Sequence, residues 1–237
     1  DGTLHNIVNG VMMQRYVKSS DITIAVLPIG TGNDWIKTYS IPNNIKKAVE
    51  IISYKKTILQ DIGQITTKEG EITFFNNVAG LGYDGYIAKK LQKIKRLGAL
   101  SYLIAGIYGM LFYKKSIFKI TMNQITIKTT CLMTIVSICK FSGGGMQFSK
   151  KGDPTDGFFD ITIAKNLTLF DLILNLKKLY NGKIVDHPKV ATYKTNEITV
   201  VPQNSKPFIQ ADGELIGTGT ATFSLIEKGI RFVIVSY

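Results

Sequence analysis

Leu27-Pro28-Ile29-Gly30-Thr31-Gly32-Asn33-Asp34-Trp35 is the stretch that decides the fold. The apolar, β-branched run 22–27 leads into it and predicts a buried strand. A strand that enters a glycine-rich turn exposes main-chain N–H groups, which can hold phosphate oxygens. Taken alone, the stretch fits equally well an ordinary turn into a helix that Asn33 or Asp34 caps. Both interpretations predict a strand followed at once by a helix.

The start of the chain supplies a second glycine-containing loop. Residues 1–3, Asp-Gly-Thr, precede apolar residues at helical spacing, so we predict a helix over residues 4–16. A short helix is predicted over residues 34–39, and an amphipathic helix follows a cap at Asn43 or Asn44. This alternation is typical of an α/β fold, in which ligands bind at the carboxyl ends of the strands.

From Thr57 onwards the pattern changes to a β-rich one. Runs of β-branched and aromatic residues are separated by turn residues, which is typical of paired strands. Residues 76–84 are predicted to form a glycine-punctuated turn and residues 86–96 a basic helix. Residues 97–113 are predicted to form a buried or interfacial helix that is too short to span a bilayer. We predict strands over residues 58–63, 72–78, 125–128, 132–138, 198–201, 208–215, 220–225 and 230–235.

The chain is strongly basic. It has 29 Lys plus Arg against 17 Asp plus Glu, which is a formal net charge of +12 at pH 7. Such a surface suits phosphate-rich partners, namely nucleotides, nucleic acid or anionic lipid. The basic helix 86–96 is either a solvated face or a contact with anionic headgroups. Aromatic residues interleaved with basic ones as stacking platforms are not evident, so we expect no nucleic-acid partner.

Two acidic turns lie late in the chain. Residues 153–160 combine proline with Asp-Gly, and their oxygen atoms could wrap a hard cation, although the residues alone favour a simple turn. Asp212-Gly213-Glu214 fits a type I′ hairpin turn, to which Asp-Gly is well suited. By itself, neither turn identifies a site.

Six motifs nevertheless occur in a set order: Asp-Gly-Thr, Gly-Thr-Gly-Asn-Asp, Asn-x-x-Gly-x-Gly-x-Asp, Gly-Gly-Gly, Asp-x-x-Asp-Gly and Asp-Gly-Glu. In this order and spacing they resemble the diacylglycerol kinase catalytic family, which includes sphingosine kinases and bacterial lipid kinases. The resemblance covers nearly the whole chain. It implies an α/β plus β-rich fold: part of an NAD kinase/diacylglycerol kinase-like nucleotide domain over residues 1–56, then a β-sandwich-like domain over residues 57–237. The last strands are expected to pack back on the first domain.

The family also has two glycines before its Asp-Gly-Thr, and this chain begins at the Asp. The resemblance therefore implies that the chain is a fragment. The elements expected upstream amount to roughly sixty residues, or two βαβ-sized units.

The resemblance implies an ATP-dependent lipid kinase that uses Mg²⁺ and acts on diacylglycerol or a related lipid alcohol. Phosphoryl transfer of this kind needs positioning and charge neutralisation more than covalent catalysis. Glu214 would be the general base that takes the proton of the lipid hydroxyl, with Asp212 as a supporting candidate. The residues expected to bind the nucleotide are Asp1, Gly2, Thr3, Leu4, His5, Gly30, Thr31, Gly32, Asn33 and Asp34. The residues expected to hold or adjoin the metal are Asp153, Asp156, Phe158 and Asp61.

Two other functions stay open. An NAD kinase shares the fold, although Gly-Thr-Gly-Asn-Asp and the late Asp-Gly-Glu argue against it. A non-catalytic, basic lipid-binding module would apply if the native chain begins at Asp1. Cys131 and Cys139 form no redox motif and suit a reducing compartment. We therefore expect a cytoplasmic protein that is peripheral at an anionic membrane, with a homodimer left open.

Overall fold

The computed structural model of the chain describes residues 2–30, 32–91, 106 and 109–235. The predicted helix over residues 97–113 lies mostly outside the described residues, and so do Asp1 and Thr31. The helices are α1 Thr3–Met13, α2 Asp34–Thr38, α3 Ile45–Ser53, α4 Tyr83–Leu91, α5 Leu169–Leu174 and α6 Leu176–Tyr180. Short 3-10 turns span Ser19–Asp21 and Lys183–Asp186. None of the described helices is long and apolar enough to cross a membrane.

The strands make up most of the rest of the described chain. The early strands are β1 Thr23–Ile24, β2 Thr57–Thr67, β3 Ile72–Phe75, β4 Val78–Gly82, β5 Ser116–Met122, β6 Ile125–Cys131 and β7 Met133–Ser137. The later ones are β8 Phe141–Ser142, β9 Met146–Gln147, β10 Phe159–Ala164, β11 Val190–Thr195, β12 Glu197–Pro202, β13 Phe208–Ala211, β14 Glu214–Thr218 and β15 Ala221–Val233.

Two sheets enclose the core. The first has the order β3-β2-β15-β12-β5-β6, with β1 beside β15, and the second has the order β11-β10-β7-β4-β13-β14. Phe75 of the first sheet stacks on Phe159 of the second, with ring centroids 5.8 Å apart, and Phe223 meets Phe75 edge-on. All three rings are fully buried, so the core lies between the sheets, as in a β-sandwich. The α/β plus β-rich fold is therefore confirmed.

The predicted cap of the amphipathic helix is present, and other local features accompany it. The Asn44 side chain accepts a hydrogen bond from the main-chain N–H of Lys47 and caps α3. Thr168 and Asp171 form a reciprocal capping box at the start of α5. The two cysteines are free and buried. Burial raises the pKa of the Cys131 thiol to about 12, so this thiol stays protonated and belongs to the core.

The strand predicted over residues 22–27 is shorter in the structure. Only Thr23 and Ile24 are paired, in parallel with Arg231 and Phe232 of β15. Because β15 ends at Val233, which is level with Ala25 in this register, the residues that follow Ala25 lie beyond the end of that strand. The prediction of a strand here was correct, but the length over which it pairs depends on the length of its partner strand.

The turn predicted over residues 76–84 is wrong. Only Asn76 and Asn77 form a bend, and Val78–Gly82 is a fully buried strand at the centre of the second sheet. The glycines serve close packing instead: a Cβ atom at Gly82 would lie 2.7 Å from the carbonyl oxygen of Leu132.

The separate strands predicted over residues 220–225 and 230–235 form one strand, β15. The residues between them are a bulge, at which the pairing with β2 shifts register between Ile226 and Ile230. Lys228 sits in this bulge with φ 51°, and its N–H donates to Oδ1 of Asp61 at 2.8 Å. A buried acceptor for the N–H of the extra residue allows a bulge where the sequence indicates a turn.

Candidate active site

The start of α1 meets the turn at residues 212–214. Gly2 caps α1 with φ 82°, and a Cβ atom there would lie 2.8 Å from Oε1 of Glu214. Only glycine therefore lets the Glu214 carboxylate approach the helix start this closely. One turn further along α1, Nδ1 of His5 lies 3.3 Å from Oδ2 of Asp212. The structure thus brings together four of the predicted residues.

The Asp212 carboxylate is used as an anchor. Its Oδ1 accepts the main-chain N–H groups of Asn77 at 3.0 Å and Val78 at 3.2 Å, and its Oδ2 accepts that of Asn76 at 3.1 Å. With His5 added, four donors surround a side chain that is only 10 % exposed. Asp212 therefore holds the bend at residues 76–78 against the turn.

The turn itself is a type I′ hairpin between β13 and β14. Asp212 and Gly213 have φ 51° and 86°, as this turn type requires. The N–H of Gly213 donates to Oε1 of Gln210 at 2.8 Å, and the amide of Gln210 donates to the carboxylate of Asp84. Burial raises the pKa of Asp84 to about 6. Gln210 therefore links the turn to a second carboxylate, a connection that sequence analysis did not predict.

The glycine-rich loop at residues 30–34 ends in a buried acid. Asp34 is 7 % exposed, and its carboxylate contacts Nζ of Lys37 at 2.7 Å and the N–H of Gly144 at 2.6 Å. Gly144 lies in the Gly-Gly-Gly loop between β8 and β9. Two of the predicted glycine loops are therefore joined through Asp34. Asn33 closes the first loop by donating to the carbonyl oxygen of Gly30 at 2.6 Å.

Gln60 connects this loop region to the Asp212 anchor. It is fully buried, and its Oε1 accepts from Nε1 of Trp35 at 2.9 Å and from the hydroxyl of Tyr39 at 2.8 Å. Its Nε2 donates to the carbonyl oxygen of Asn76 at 2.5 Å. Since the N–H of Asn76 bonds Asp212, a short hydrogen-bonded path runs from α2 to the turn. Gln60 was missed, although a buried amide beside Asp61 in a strand is a signal that could have been noted.

Asn9 was also missed. Its side-chain amide donates to the carbonyl oxygen of Phe74 and accepts from the N–H of Phe74, both at 2.8 Å, and it contacts Nε2 of His5 at 3.3 Å. His5 and Asn9 lie four residues apart and face the same side of α1. Two polar residues at that spacing on an otherwise apolar face were the available signal. Leu4, predicted to bind the nucleotide, packs against the main core.

Asp61 is tied to the turn at residues 153–158. Its N–H donates to the carbonyl oxygen of Pro154 at 2.9 Å, and its Oδ2 accepts the N–H of Gly157 at 2.9 Å. Burial raises the pKa of Asp61, and the main-chain donors Lys228 and Gly157 oppose that rise. The structure therefore brings Asp61 to the predicted metal turn, where both of its oxygens already accept main-chain hydrogen bonds.

The acids of that turn have protein partners of their own. Asp153 accepts from the N–H and the hydroxyl of Thr155, while Asp156 accepts from the N–H of Phe158 and from the ammonium of Lys194. Among the described residues, no group of three or more His, Cys, Asp or Glu could hold a metal ion. The carboxylates present thus fit a hydrogen-bonded turn better than a metal cage, and the metal assignment stays a prediction.

An apolar pocket lies between the second sheet and the helices α5 and α6. It is small and partly open to solvent. Its lining is almost entirely hydrophobic, which suits a small apolar group. Lining residues include Tyr83, Met110, Leu132, Leu167, Leu172 and Leu179.

Comparison with known proteins identifies the family. Residues 1–65 match the diacylglycerol kinase catalytic domain, and residues 77–234 match the YegS C-terminal NAD kinase beta sandwich-like domain. The chain therefore belongs to the diacylglycerol kinase family of lipid kinases.

Individual relatives agree with this family. The chain is 26 % identical over 240 residues to the "Probable lipid kinase YegS-like" of Shewanella frigidimarina, covering 99 % of this chain and 74 % of that protein. It is 24 % identical over 238 residues to a diacylglycerol kinase of Mycobacterium tuberculosis, covering 98 % and 73 %. A crystal structure of a diacylglycerol kinase from Bacillus anthracis has the same fold, with a TM-score of 0.70 at 17 % identity over 98 % of this chain and 73 % of that one.

Proposed function

We propose that this protein is an ATP-dependent lipid kinase that transfers the γ-phosphoryl group to a lipid hydroxyl, with diacylglycerol or a related lipid alcohol as the acceptor. Membership of the family supports the reaction class. The observation that carries the proposal is the position of Glu214, whose carboxylate lies against the start of α1 within 2.8 Å of where a Cβ atom of Gly2 would be.

The start of α1 suits phosphate. α1 is 11 residues long, and the N–H groups of its first turn have no partner within the helix, so they attract anions. Glycine at position 2 places no side chain beside these groups. The glycine-rich loop at residues 30–33 would add further main-chain donors beside Asp34.

Glu214 would act as the general base. Its carboxylate would take the proton of the acceptor hydroxyl while the hydroxyl oxygen bonds to the γ-phosphorus and the bond to the β-phosphate oxygen breaks. Asp212 would act as a positioning residue, because its oxygens accept main-chain N–H groups from residues 76–78. A divalent cation such as Mg²⁺, bound with ATP, would supply neutralisation of phosphate charge.

The apolar pocket would contact part of the hydrocarbon of the acceptor. Tyr83 lines the pocket, and Asp84 follows it directly and bonds Gln210 of the turn strand. The pocket and the 212–214 turn are therefore linked through one pair of side chains. The net charge of +12 would favour peripheral association with an anionic membrane, which is where such an acceptor resides.

The test is phosphoryl transfer from labelled ATP to diacylglycerol in mixed vesicles. We expect Glu214→Gln to lower kcat by about 100-fold or more with little change in thermal stability, since loss of a general base costs about 10² to 10⁴ in rate. Glu69→Gln, in the exposed turn between β2 and β3, is the matched control and should keep full activity. Full activity in Glu214→Gln would move the base elsewhere, and transfer to NAD instead of lipid would identify an NAD kinase.

A further inference from the structure

Helices α5 and α6 carry apolar side chains on two opposite sides. On the inner side, Leu172, Leu176 and Leu179 pack in a small core with Phe148 and Ile184. On the outer side, Phe170, Ile173 and Leu174 are 69 %, 51 % and 65 % exposed. Spacings of three and four residues place these three on one helix face. We call this face, together with the following Lys177, the outer stripe.

The outer stripe is presented by an anchored element. The capping box of Thr168 and Asp171 holds the start of α5, and Asn175 donates to the carbonyl oxygen of Asp171 at 2.8 Å. Lys189, directly before β11, contacts the Asp171 carboxylate at 2.5 Å and ties the helix to the start of that strand. Isolated exposed apolar residues are ordinary, but a contiguous group on a fixed helix marks an interaction surface.

The charges around the outer stripe are positive. Lys177, Lys178 and Lys183 are exposed, and none of them forms an ion pair within the part of the chain that the structure describes. The acids of residues 165–190 are Asp171 and Asp186, and both are neutralised, by Lys189 and by Lys150 at 2.5 Å. An apolar stripe bordered by uncompensated lysines complements an anionic lipid surface, which offers hydrocarbon below and negative charge above.

A second exposed segment lies beside the stripe. Leu111 is 61 % exposed, and Nζ of Lys115 donates to Oδ1 of Asn166, just before α5, at 2.6 Å. Met110 and Leu172 line the same apolar pocket. The helices that show the outer stripe to solvent therefore cover that pocket with their inner side.

We propose that the outer stripe is the surface by which this protein docks on an anionic bilayer, with Phe170, Ile173 and Leu174 inserted among the lipids and Lys177 and Lys178 at the headgroups. Only the purpose of this docking rests on the proposed function: docking would place the apolar pocket at the bilayer that holds the lipid acceptor. The docking itself depends only on the stripe and its charges.

Vesicle co-sedimentation tests the docking. The probes are vesicles of phosphatidylglycerol with phosphatidylcholine, and vesicles of phosphatidylcholine alone. We expect Phe170→Ser/Leu174→Ser to lower the partition coefficient on the anionic vesicles by about tenfold or more, because two large apolar side chains no longer enter the bilayer. Ile72→Ser/Ile125→Ser, which replaces exposed side chains on β3 and β6, should change it by less than about twofold.

Charge-reversal variants distinguish a direct contact of the stripe lysines with the headgroups from the effect of the protein's net charge. Lys177→Glu/Lys178→Glu should weaken binding to the anionic vesicles at least about tenfold and leave the weak binding to phosphatidylcholine unchanged. Lys46→Glu/Lys47→Glu, on α3, makes the same change in net charge and should have a clearly smaller effect. Equal effects of the two reversals would overturn the local docking surface.

Activity on a soluble acceptor distinguishes failure of the docking from failure of the function. The docking variants should phosphorylate a monomeric short-chain diacylglycerol, without vesicles, as fast as the unaltered protein. Vesicle binding that is unaffected by both stripe variants would overturn the proposal, as would a stripe that only mediates self-association in sedimentation equilibrium. If no lipid is phosphorylated but the variants still lose vesicle binding, the proposed function fails and the docking surface stands.

Discussion

Two Asp-Gly turns of this protein are anchored in opposite ways. In the turn at Asp212-Gly213 the turn's own carboxylate reaches out and accepts three main-chain N–H groups from residues 76–78. In the turn at Asp156-Gly157 the anchor comes from outside, because the N–H of Gly157 donates to Asp61 of β2. The Asp156 carboxylate stays at the surface with Lys194.

The difference shows that the neighbours of a turn decide its use. The first turn lies against the start of α1, and its next residue, Glu214, faces Gly2. The second turn holds β2 and the bulge of β15 together through Asp61. The same dipeptide therefore positions a candidate base in one place and fastens strands in the other.

Removing the two turn carboxylates should give the largest contrast. We expect Asp212→Ala to lower the free energy of unfolding by about 4 kcal/mol, because it leaves several buried main-chain N–H groups without an acceptor. Asp156→Ala should cost about 1 kcal/mol or less, because a half-exposed ion pair contributes little. Urea unfolding of both variants measures this. Similar losses in the two variants would contradict the distinction between the anchors.

Asp84, which the first turn reaches through Gln210, should make stability depend on pH. Burial raises its pKa from 3.8 to about 6 in the folded protein, so the folded state binds the proton more tightly than the unfolded state. Its contribution to stability is therefore present below pH 4 and is lost as the pH rises to about 6. The change in the pKa of Asp84 corresponds to about 3 kcal/mol in the free energy of unfolding.

Asp84→Asn removes this titration. The variant should be more stable than the unaltered protein at pH 7, and the difference should shrink as the pH is lowered from 6 to 4. Denaturant unfolding at several pH values measures the difference. A stability difference that does not change with pH would show that Asp84 is already charged in the fold at pH 4.

A methyl group at Gly2 should disturb the first turn from the other side. We expect Gly2→Ala to lower kcat/KM about tenfold, because the new Cβ atom displaces the Glu214 carboxylate. It should also cost about 1 kcal/mol of stability, since φ 82° is unfavourable for alanine. Gly70→Ala is the matched control: its φ of 87° is similar and its Cβ would meet nothing within 4 Å. That control should lose stability alone, and equal activity losses would contradict a role for the Gly2–Glu214 contact.

A small effect is expected at Thr168, whose side chain bonds only within its own capping box. Thr168→Ala removes one half of the capping box of α5 and should lower the free energy of unfolding by about 1 kcal/mol. Thermal unfolding measures it. A loss as large as that of Asp212→Ala would mean that Thr168 has a role beyond the helix end.

Much of the fold could be predicted because it depends on short-range chemistry. The helix at Thr3–Met13 follows from apolar residues at helical spacing, and the cap at Asn44, the box at Thr168 and the type I′ turn at Asp212 follow from residue types that act within a few positions of themselves. The wrong predictions concern elements whose extent depends on partner strands or on contacts far away in the sequence. β1 stops where β15 ends, Val78–Gly82 becomes a strand because β7 and β13 flank it, and Lys228 forms a bulge because Asp61 accepts its N–H.

The sequence by itself determined the family-like order of motifs, the α/β start, the β-rich remainder and the candidate acids. The tertiary structure alone decided how the two acids are placed. Asp212 and Glu214 are two residues apart and chemically similar, but the first is enclosed by donors from residues 76–78 and His5, while the carboxylate of the second lies against the start of α1. These contacts join residues more than a hundred positions apart, and their geometry depends on the packing of two sheets, which local propensity does not encode.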